Sequence, residues 1–496
     1  ENMEPGHGSW SGGRWRRRRW SREHPGRARS LLTVGLLVAN AHAFAVPNFP
    51  KKTAYKNISR ILAAGGCKQS HGDANQEFSE SELLAGRFAC SMGCQEHEKN
   101  LAAAFEPWWD HKLPLSAINQ ACERGGQSAS LDFVVAIINK RVFLRCCSKS
   151  LESCTPGGLH VDPDTLVTDR DLLLTLVREL AQEGLLPDMM FVFNVGDQPF
   201  TDRTFWGPVP QFHWVQSTGH WSIPLPNPFH LLAHVQNFLS DSPVYEQTKV
   251  VPWKDRIPKV FWRGSLSAPD KVMEHDLETT PRLRLLRLAE QRPDLFDVGI
   301  VGIDEAIQEF LSEEAYAKIQ QLPLAPHVQG RSEQTKYRYT LSVAAVLSSW
   351  RLPELMASGS VLLLQSHSTS EVIYGWLTPW EHYVPINADL SDLIPAIDWL
   401  EKHPERAEEI ANNAAQVFQT RVRRQDTYCY LWQALRSMQS LLEEGEVAAA
   451  GAGSGWAQFV PPKRLPIHTP LRKLLAAMNV SLASTTTTTQ AATVVT

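Results

Sequence analysis

Along residues 336–387, KYRYTLSVAAVLSSWRLPELMASGSVLLLQSHSTSEVIYGWLTPWEHYVPIN, apolar positions gather in short strand-like runs. Short runs of this kind, set between helix-like stretches, predict strands buried on both faces, the pattern of a parallel sheet covered by helices. In order, the segment predicts a strand at its start, a loop holding Ser348, Ser349 and Arg351, and a short helix stopped at Gly359. A strand over 361–364, a second helix start at Ser370 and Glu371, and a strand over 383–386 follow. Elsewhere the same reading gives a buried strand over 189–195, a strand edge over 260–262 and a long helical stretch over 404–442. Asp169 and Asp171 follow Thr168 and precede LLLTLVRELAQEGL, so they read as first-turn acids of a helix, favoured there by its positive dipole end.

Ligands of such sheets sit where strands feed into helix N-termini, whose free N–H groups attract phosphate. Two stretches have this form. Arg351 lies beside Ser349 just ahead of a predicted helix, and an arginine there can fork onto a diphosphate. Arg263 follows the strand edge over 260–262, with Gly264 and Ser265 next to it; glycine lets a backbone approach a ligand that a side chain would block. A third candidate, Asp197, stands just past the predicted strand 189–195 with Gly196 before it and Pro199 after it. A carboxylate at that edge can take the proton of an attacking hydroxyl; the same residue can also simply form a Gly-Asp-Gln-Pro turn.

These residues fall in blocks that resemble the protein O-glucosyltransferase family, which includes the Rumi proteins and the fungal capsule-associated proteins. The blocks are PDMMFVFNVGDQP (187–199), WSIPLPNP (221–228), FWRGS (261–265), PDLFDVGI (293–300), KYRYTLSV (336–343), SSWRLPELMASGSVLLL (348–364), LTPWEHYVPI (377–386) and DLSDL (389–393). The resemblance implies an α/β fold of the GT-B kind, with two Rossmann-like domains facing a cleft. It also implies inverting transfer of a sugar, glucose or xylose, from a UDP-sugar to a hydroxyl of a secretory-pathway protein, without a metal or other cofactor. By position, Asp197 matches the catalytic base, Arg263, Gly264, Ser265, Ser349 and Arg351 match the UDP-sugar-binding blocks, and Glu371 matches an acidic position near the ribose. The chain departs from the family at Leu266, where another Arg often stands and only Lys271 could replace its charge, and at Ala344-Ala345, where an acidic-Gly pair is expected. Those departures keep two alternatives open, a glycan-building transferase of the same fold and an inactive lumenal protein that binds sugar nucleotide or carbohydrate.

Composition narrows the picture. A net charge of −4, with the Arg-rich part confined to one short run near residues 15–29, argues against a nucleic-acid partner. With 16 Trp the chain can supply sugar-stacking platforms, and Trp108, Trp109, Trp206, Trp214 and Trp221 are the acceptor-side candidates. His213, His220 and His230 fit no zinc spacing, and the triplets Asp162/Asp164 and Asp169/Asp171 are the metal-binding alternative. Residues 30–45, SLLTVGLLVANAHAFA, follow an Arg-rich stretch and read as a secretory signal or an uncleaved anchor, the one route to membrane attachment. Seven of the eight cysteines crowd into residues 67–154, which predicts disulfides in the lumen of the endoplasmic reticulum or Golgi, with zinc as the rival; the isolated Cys429 is expected to pair with Cys67, Cys90 or Cys94. The organisation expected is 1–45 signal or anchor, 46–240 acceptor-side domain, 241–445 UDP-sugar-binding domain and 446–496 low-complexity tail.

Overall fold

The computed structural model describes residues 53–67, 78–97, 101, 104–108, 112–124, 132–147, 169–195, 209–217, 219–227, 230, 251–267, 280–303, 311–326, 331–344, 349–443, 447, 456–461, 470–480 and 482. Asp197, Trp109, Trp206, Lys271, Ala345 and the Asp162/Asp164 triplet lie outside the described residues.

Helices α1 (Thr53–Ala64), α2 (Glu80–Met92) and α3 (Leu115–Arg124) come first, then β1 (Asp132–Ile138), β2 (Arg141–Cys146), α4 (Asp169–Gln182), β3 (Met189–Asn194), β4 (Gln211–His213), β5 (Gln216–Ser217) and β6 (Ser222–Pro224). A second set follows: β7 (Ile257–Leu266), α5 (Pro281–Gln291), β8 (Phe296–Ile303), α6 (Glu313–Gln320), β9 (Tyr337–Ser342), α7 (Leu352–Ala357), β10 (Val361–Gln365), β11 (Thr369–Ser370), β12 (Val384–Ile386), α8 (Leu393–Lys402) and α9 (Pro404–Arg421). The chain closes with α10 (Arg424–Leu441), β13 (Ala457–Gln458) and α11 (Leu471–Ala477).

The first sheet has the order β13-β2-β1-β3-β4-β6. It is mixed, not the all-parallel sheet that a pure Rossmann-like unit would have: β1 pairs antiparallel with β2 and β3, while β3, β4 and β6 run parallel. The cause is local. Asn139 and Lys140 both take positive φ, 47° and 64°, the hairpin turn that folds β2 straight back on β1. Around this sheet α1, α2, α4 and the whole of α10 share one apolar core that includes Phe88, Leu180, Phe191, Tyr428 and Trp432.

The second sheet, β12-β10-β9-β7-β8, is parallel throughout, as the short apolar runs predict. Its strands β9, β10 and β12 lie on the predicted spans, and α7 ends where Gly359, at φ +67, turns the chain in the left-handed region. Two elements differ from expectation. No long helix begins at Ser370 and Glu371, because Thr369 and Ser370 pair with Ser217 and Gln216 of β5, and only one short 3₁₀ segment, Val372–Trp376, follows. The predicted helical stretch over 404–442 is two helices, because the Asp426 carboxylate accepts from the Arg423 backbone N–H at 3.1 Å and so caps a new helix there.

The cysteines resolve the pairing left open. Cys67 joins Cys90, and Cys94 joins Cys429 across 335 residues of sequence, fastening α10 to the end of α2. Cys90 and Cys94 are therefore half-cystines and not zinc ligands. Among the described residues no helix is long and apolar enough to cross a membrane.

Candidate functional site at the crevice of the second sheet

Taken in chain order, the five strands of the second sheet run 2-1-3-4-5 across it, so the winding reverses between β7 and β9. Ligands of open α/β sheets bind at that reversal, outside the carboxyl ends of the strands. Here the two central strands part early. Main-chain pairing between β7 and β9 stops at Phe261↔Thr340, whereas β7 stays paired with β8 as far as Leu266↔Ile303. The carbonyls of Arg263 and Ser265 lie beyond that last rung, and guanidinium groups reach them: Arg351 Nη1 donates to Arg263 O at 2.6 Å, and Arg282 Nη1 to Ser265 O at 2.5 Å. Two stations separated by 88 residues of sequence thus meet through one hydrogen bond.

Each candidate has a defined setting. Arg351 is the N-cap residue of α7, with Ser349 buried just before it. Arg263 turns toward the neighbouring strand, pairing with Asp297 at 2.5 Å and lying over the Phe261 ring at 4.8 Å. Burial works to raise the Asp297 carboxyl, but hydrogen bonds from Tyr337 and Arg263 outweigh it and hold it below the usual carboxylate range. At Gly264 a Cβ would come within 2.6 Å of the Trp262 indole, so the glycine also makes room for that ring. Ser265 is exposed at the end of β7. Leu266, the departure from the family pattern, is a core residue at 1% exposure, and Ala344 lends its carbonyl to Arg282 Nε at 3.1 Å.

Glu371 is buried where the two halves touch and accepts from the side-chain amide of Asn227, whose own oxygen accepts from His230 N at 2.9 Å. Strand β11, which pairs antiparallel with β5, lies in the chain immediately before it. A second link between the halves is aromatic. Trp350, between Ser349 and Arg351, meets the Trp214 ring with centroids 6.4 Å apart, and Trp214 Nε1 donates to Val195 O at 3.4 Å. The described end of β3, which leads to Asp197, is therefore one tryptophan away from the Arg351 loop.

Several acceptor-side expectations change. Trp108 and Trp214 are buried in the core, where they cannot present a face to a sugar; Trp221 packs on Trp108 at 5.5 Å. His213 is fully buried and its Nδ1 accepts from Val215 N at 3.1 Å, so it serves its own turn. Asp169 and Asp171 open α4 as expected, and among the described residues no group of three or more His, Cys, Asp or Glu could hold a metal ion. Three residues escaped the sequence reading: Arg282, Gln365 and His367. Gln365 takes the Ala344 N–H at 2.9 Å and donates to Ala388 O at 2.6 Å, tying the ends of β9, β10 and β12. His367 bonds Thr369 Oγ1 at 2.6 Å, and burial pushes its pKa down, which keeps the ring neutral at physiological pH. Nothing in the local pattern marks Arg282 or Gln365, since their partners lie far along the chain, and His367 serves only the turn to Thr369.

Among the described residues the architecture is that of an α/β protein with two large sheets and the small β5–β11 pair, the second large sheet having a switch point rimmed by arginines. Over residues 90–452 the sequence matches glycosyl transferase family 90, and the chain belongs to that family. It is 26% identical over 371 residues to human protein O-glucosyltransferase 3, covering 74% of this chain and 66% of that one. It is 31% identical over 269 residues to protein O-glucosyltransferase 2 of Danio rerio, covering 52% of this chain and 48% of the relative. The matched part thus spans about half to two-thirds of the length of these relatives. A slight overlap with a solved structure, the pneumococcal O-GlcNAc transferase GtfA in complex with UDP and GlcNAc, has 15% identity and covers 36% of this chain and 33% of that one. Its TM-score of 0.18 carries no weight for the fold.

Proposed function

We propose that the chain is an inverting glycosyltransferase that moves a sugar, glucose or xylose, from a UDP-sugar to a hydroxyl of a secretory-pathway protein. The observation that carries this reading is the parting of β7 and β9 at the switch point, with Arg351, the N-cap residue of α7, at its rim. Family membership and the names of the relatives support sugar transfer to protein. The paired cysteines support an oxidising compartment.

In this reading the diphosphate lies at the N-terminus of α7, where Arg351 and the helix dipole offset the charge that develops on departing UDP. Arg263, Gly264 and Ser265 form the other wall, and Ser349 shapes the loop between. Asp197 takes the proton of the acceptor hydroxyl as that oxygen attacks the anomeric carbon; the bond from that carbon to the diphosphate breaks, and UDP leaves with the electron pair. Glu371, held by Asn227, fixes the floor between the halves near the ribose. No metal is needed where arginines and a helix end carry the charge, so turnover should survive EDTA. A donor panel of UDP-glucose, UDP-xylose and UDP-galactose, read by UDP release, tests the reading: turnover of one of them in chelator is the expected result. UDP-sugar binding without any turnover would instead select the inactive lumenal binding protein.

A further inference from the structure

Arg282 is the second residue of α5, after Thr280 at the N-cap and Pro281 at N1. Its side chain is 6% exposed, and it reaches three acceptors on two strands' ends: Ser265 O at 2.5 Å, Ser267 Oγ at 2.8 Å and Ala344 O at 3.1 Å. The guanidinium also lies over the Trp262 ring at 5.5 Å. Ser265 and Ser267 continue β7, and Ala344 continues β9, so these bonds span the part of the crevice where the β-ladder has already stopped. A buried carbonyl without a donor costs about 1–3 kcal/mol, so strands that part need some group to satisfy their inner edges. Arginine suits this because its N–H donors lie in one rigid plane and can serve acceptors on both sides at once.

We propose that Arg282 is a positioning residue for the donor site: it fixes the width of the β7/β9 crevice, and through Ser265 and Ala344 it sets where the ends of β7 and β9 meet the diphosphate. The role rests on the UDP-sugar reading given above. It also explains how Leu266 can be a core residue, since the cation at this end of β7 comes from the following helix. Arg256 offers an internal comparison. It is equally buried, at 5% exposure, and donates to Ser358 O at 3.1 Å and Ser360 Oγ at 3.2 Å, next to the start of β10 at the opposite end of the same sheet.

The test compares Arg282→Lys with Arg256→Lys in the full chain, reading UDP affinity by calorimetry and melting temperature side by side. Both variants keep a positive charge but lose the planar fork, so both should melt earlier. Only Arg282→Lys should weaken UDP binding, by about tenfold or more, the loss expected when one or two charge-assisted contacts are gone. Equal UDP affinity in the two variants overturns the positioning role, while a wild-type chain that fails to bind UDP overturns the donor reading along with it. Should Arg282→Lys not fold, Ser267→Ala removes a single acceptor from the same clamp. It is expected to weaken UDP roughly two- to fivefold with little change in melting; an unchanged affinity there overturns the proposal as well.

Discussion

Arg351 Nη1 donates to the Arg263 carbonyl of β7, and the proposed donor site asks the same guanidinium to meet a phosphate oxygen as well. If it does, Arg351→Ala should weaken UDP binding by about 2 kcal/mol, near thirtyfold, as measured by calorimetry; wild-type affinity would mean that its role is confined to holding β7. Asp197→Asn keeps size and hydrogen bonding but accepts no proton. Turnover should drop by about 10² to 10⁴ while UDP affinity holds, and a variant that transfers sugar at the wild-type rate would turn attention to another carboxylate such as Asp202. Asp297 gives a pH signature. Its carboxyl lies below the ordinary value in the folded chain, so its stabilising effect is present above about pH 4 and is lost as pH falls further through the folded value. The difference in melting temperature between wild type and Asp297→Asn should accordingly shrink toward about pH 3 and be constant from about pH 5 upward. At this scale the position of Arg351 ahead of a helix was legible in the sequence. The role of Arg282 was not, since it depends on Ala344, 62 residues further along.

Elements were legible where short apolar strands are set between helix-like stretches, as in β9, β10 and β12, and obscure where a turn or a cap decides. The β1/β2 hairpin depends on two left-handed residues without a glycine, Asn139 and Lys140, which leaves little trace in composition. The break between α9 and α10 depends on one carboxylate, Asp426, reaching back to a backbone N–H within an otherwise helical pattern. The contact of α1 with α2 is equally hidden. At Gly86 an added Cβ would meet Ile61 O at 2.5 Å, and backbone atoms cannot step aside as a flexible side chain can. Gly86→Ala should force the helices apart and cost about 1–3 kcal/mol in thermal unfolding; a neutral result would mean that α1 can shift freely, against its tie through Cys67–Cys90.

Over the whole molecule, the last long helix of the chain belongs to the first core. Tyr428, Cys429, Leu431, Trp432 and Leu435 all pack there, and the Cys94–Cys429 bridge closes the circuit. That bridge encloses a loop of hundreds of residues, so in the chain-entropy account it stabilises by roughly 5 kcal/mol. Selective loss through Cys429→Ala should lower the melting temperature by several degrees, and non-reducing peptide mapping should recover a Cys94–Cys429 peptide. The sequence pointed to Cys429 as an outlier needing a distant partner, but only the fold chooses among three candidates. The central claim is that the β7/β9 crevice holds a UDP-sugar for transfer, and the most direct measurement is UDP release from the donor panel in EDTA, run in parallel on wild type, Arg351→Ala and Asp197→Asn. The account predicts release from one donor by wild type, a weaker apparent donor affinity for Arg351→Ala, and near-silence for Asp197→Asn with donor affinity intact. Release that disappears in chelator and returns with manganese, or that is unchanged in both variants, would contradict it.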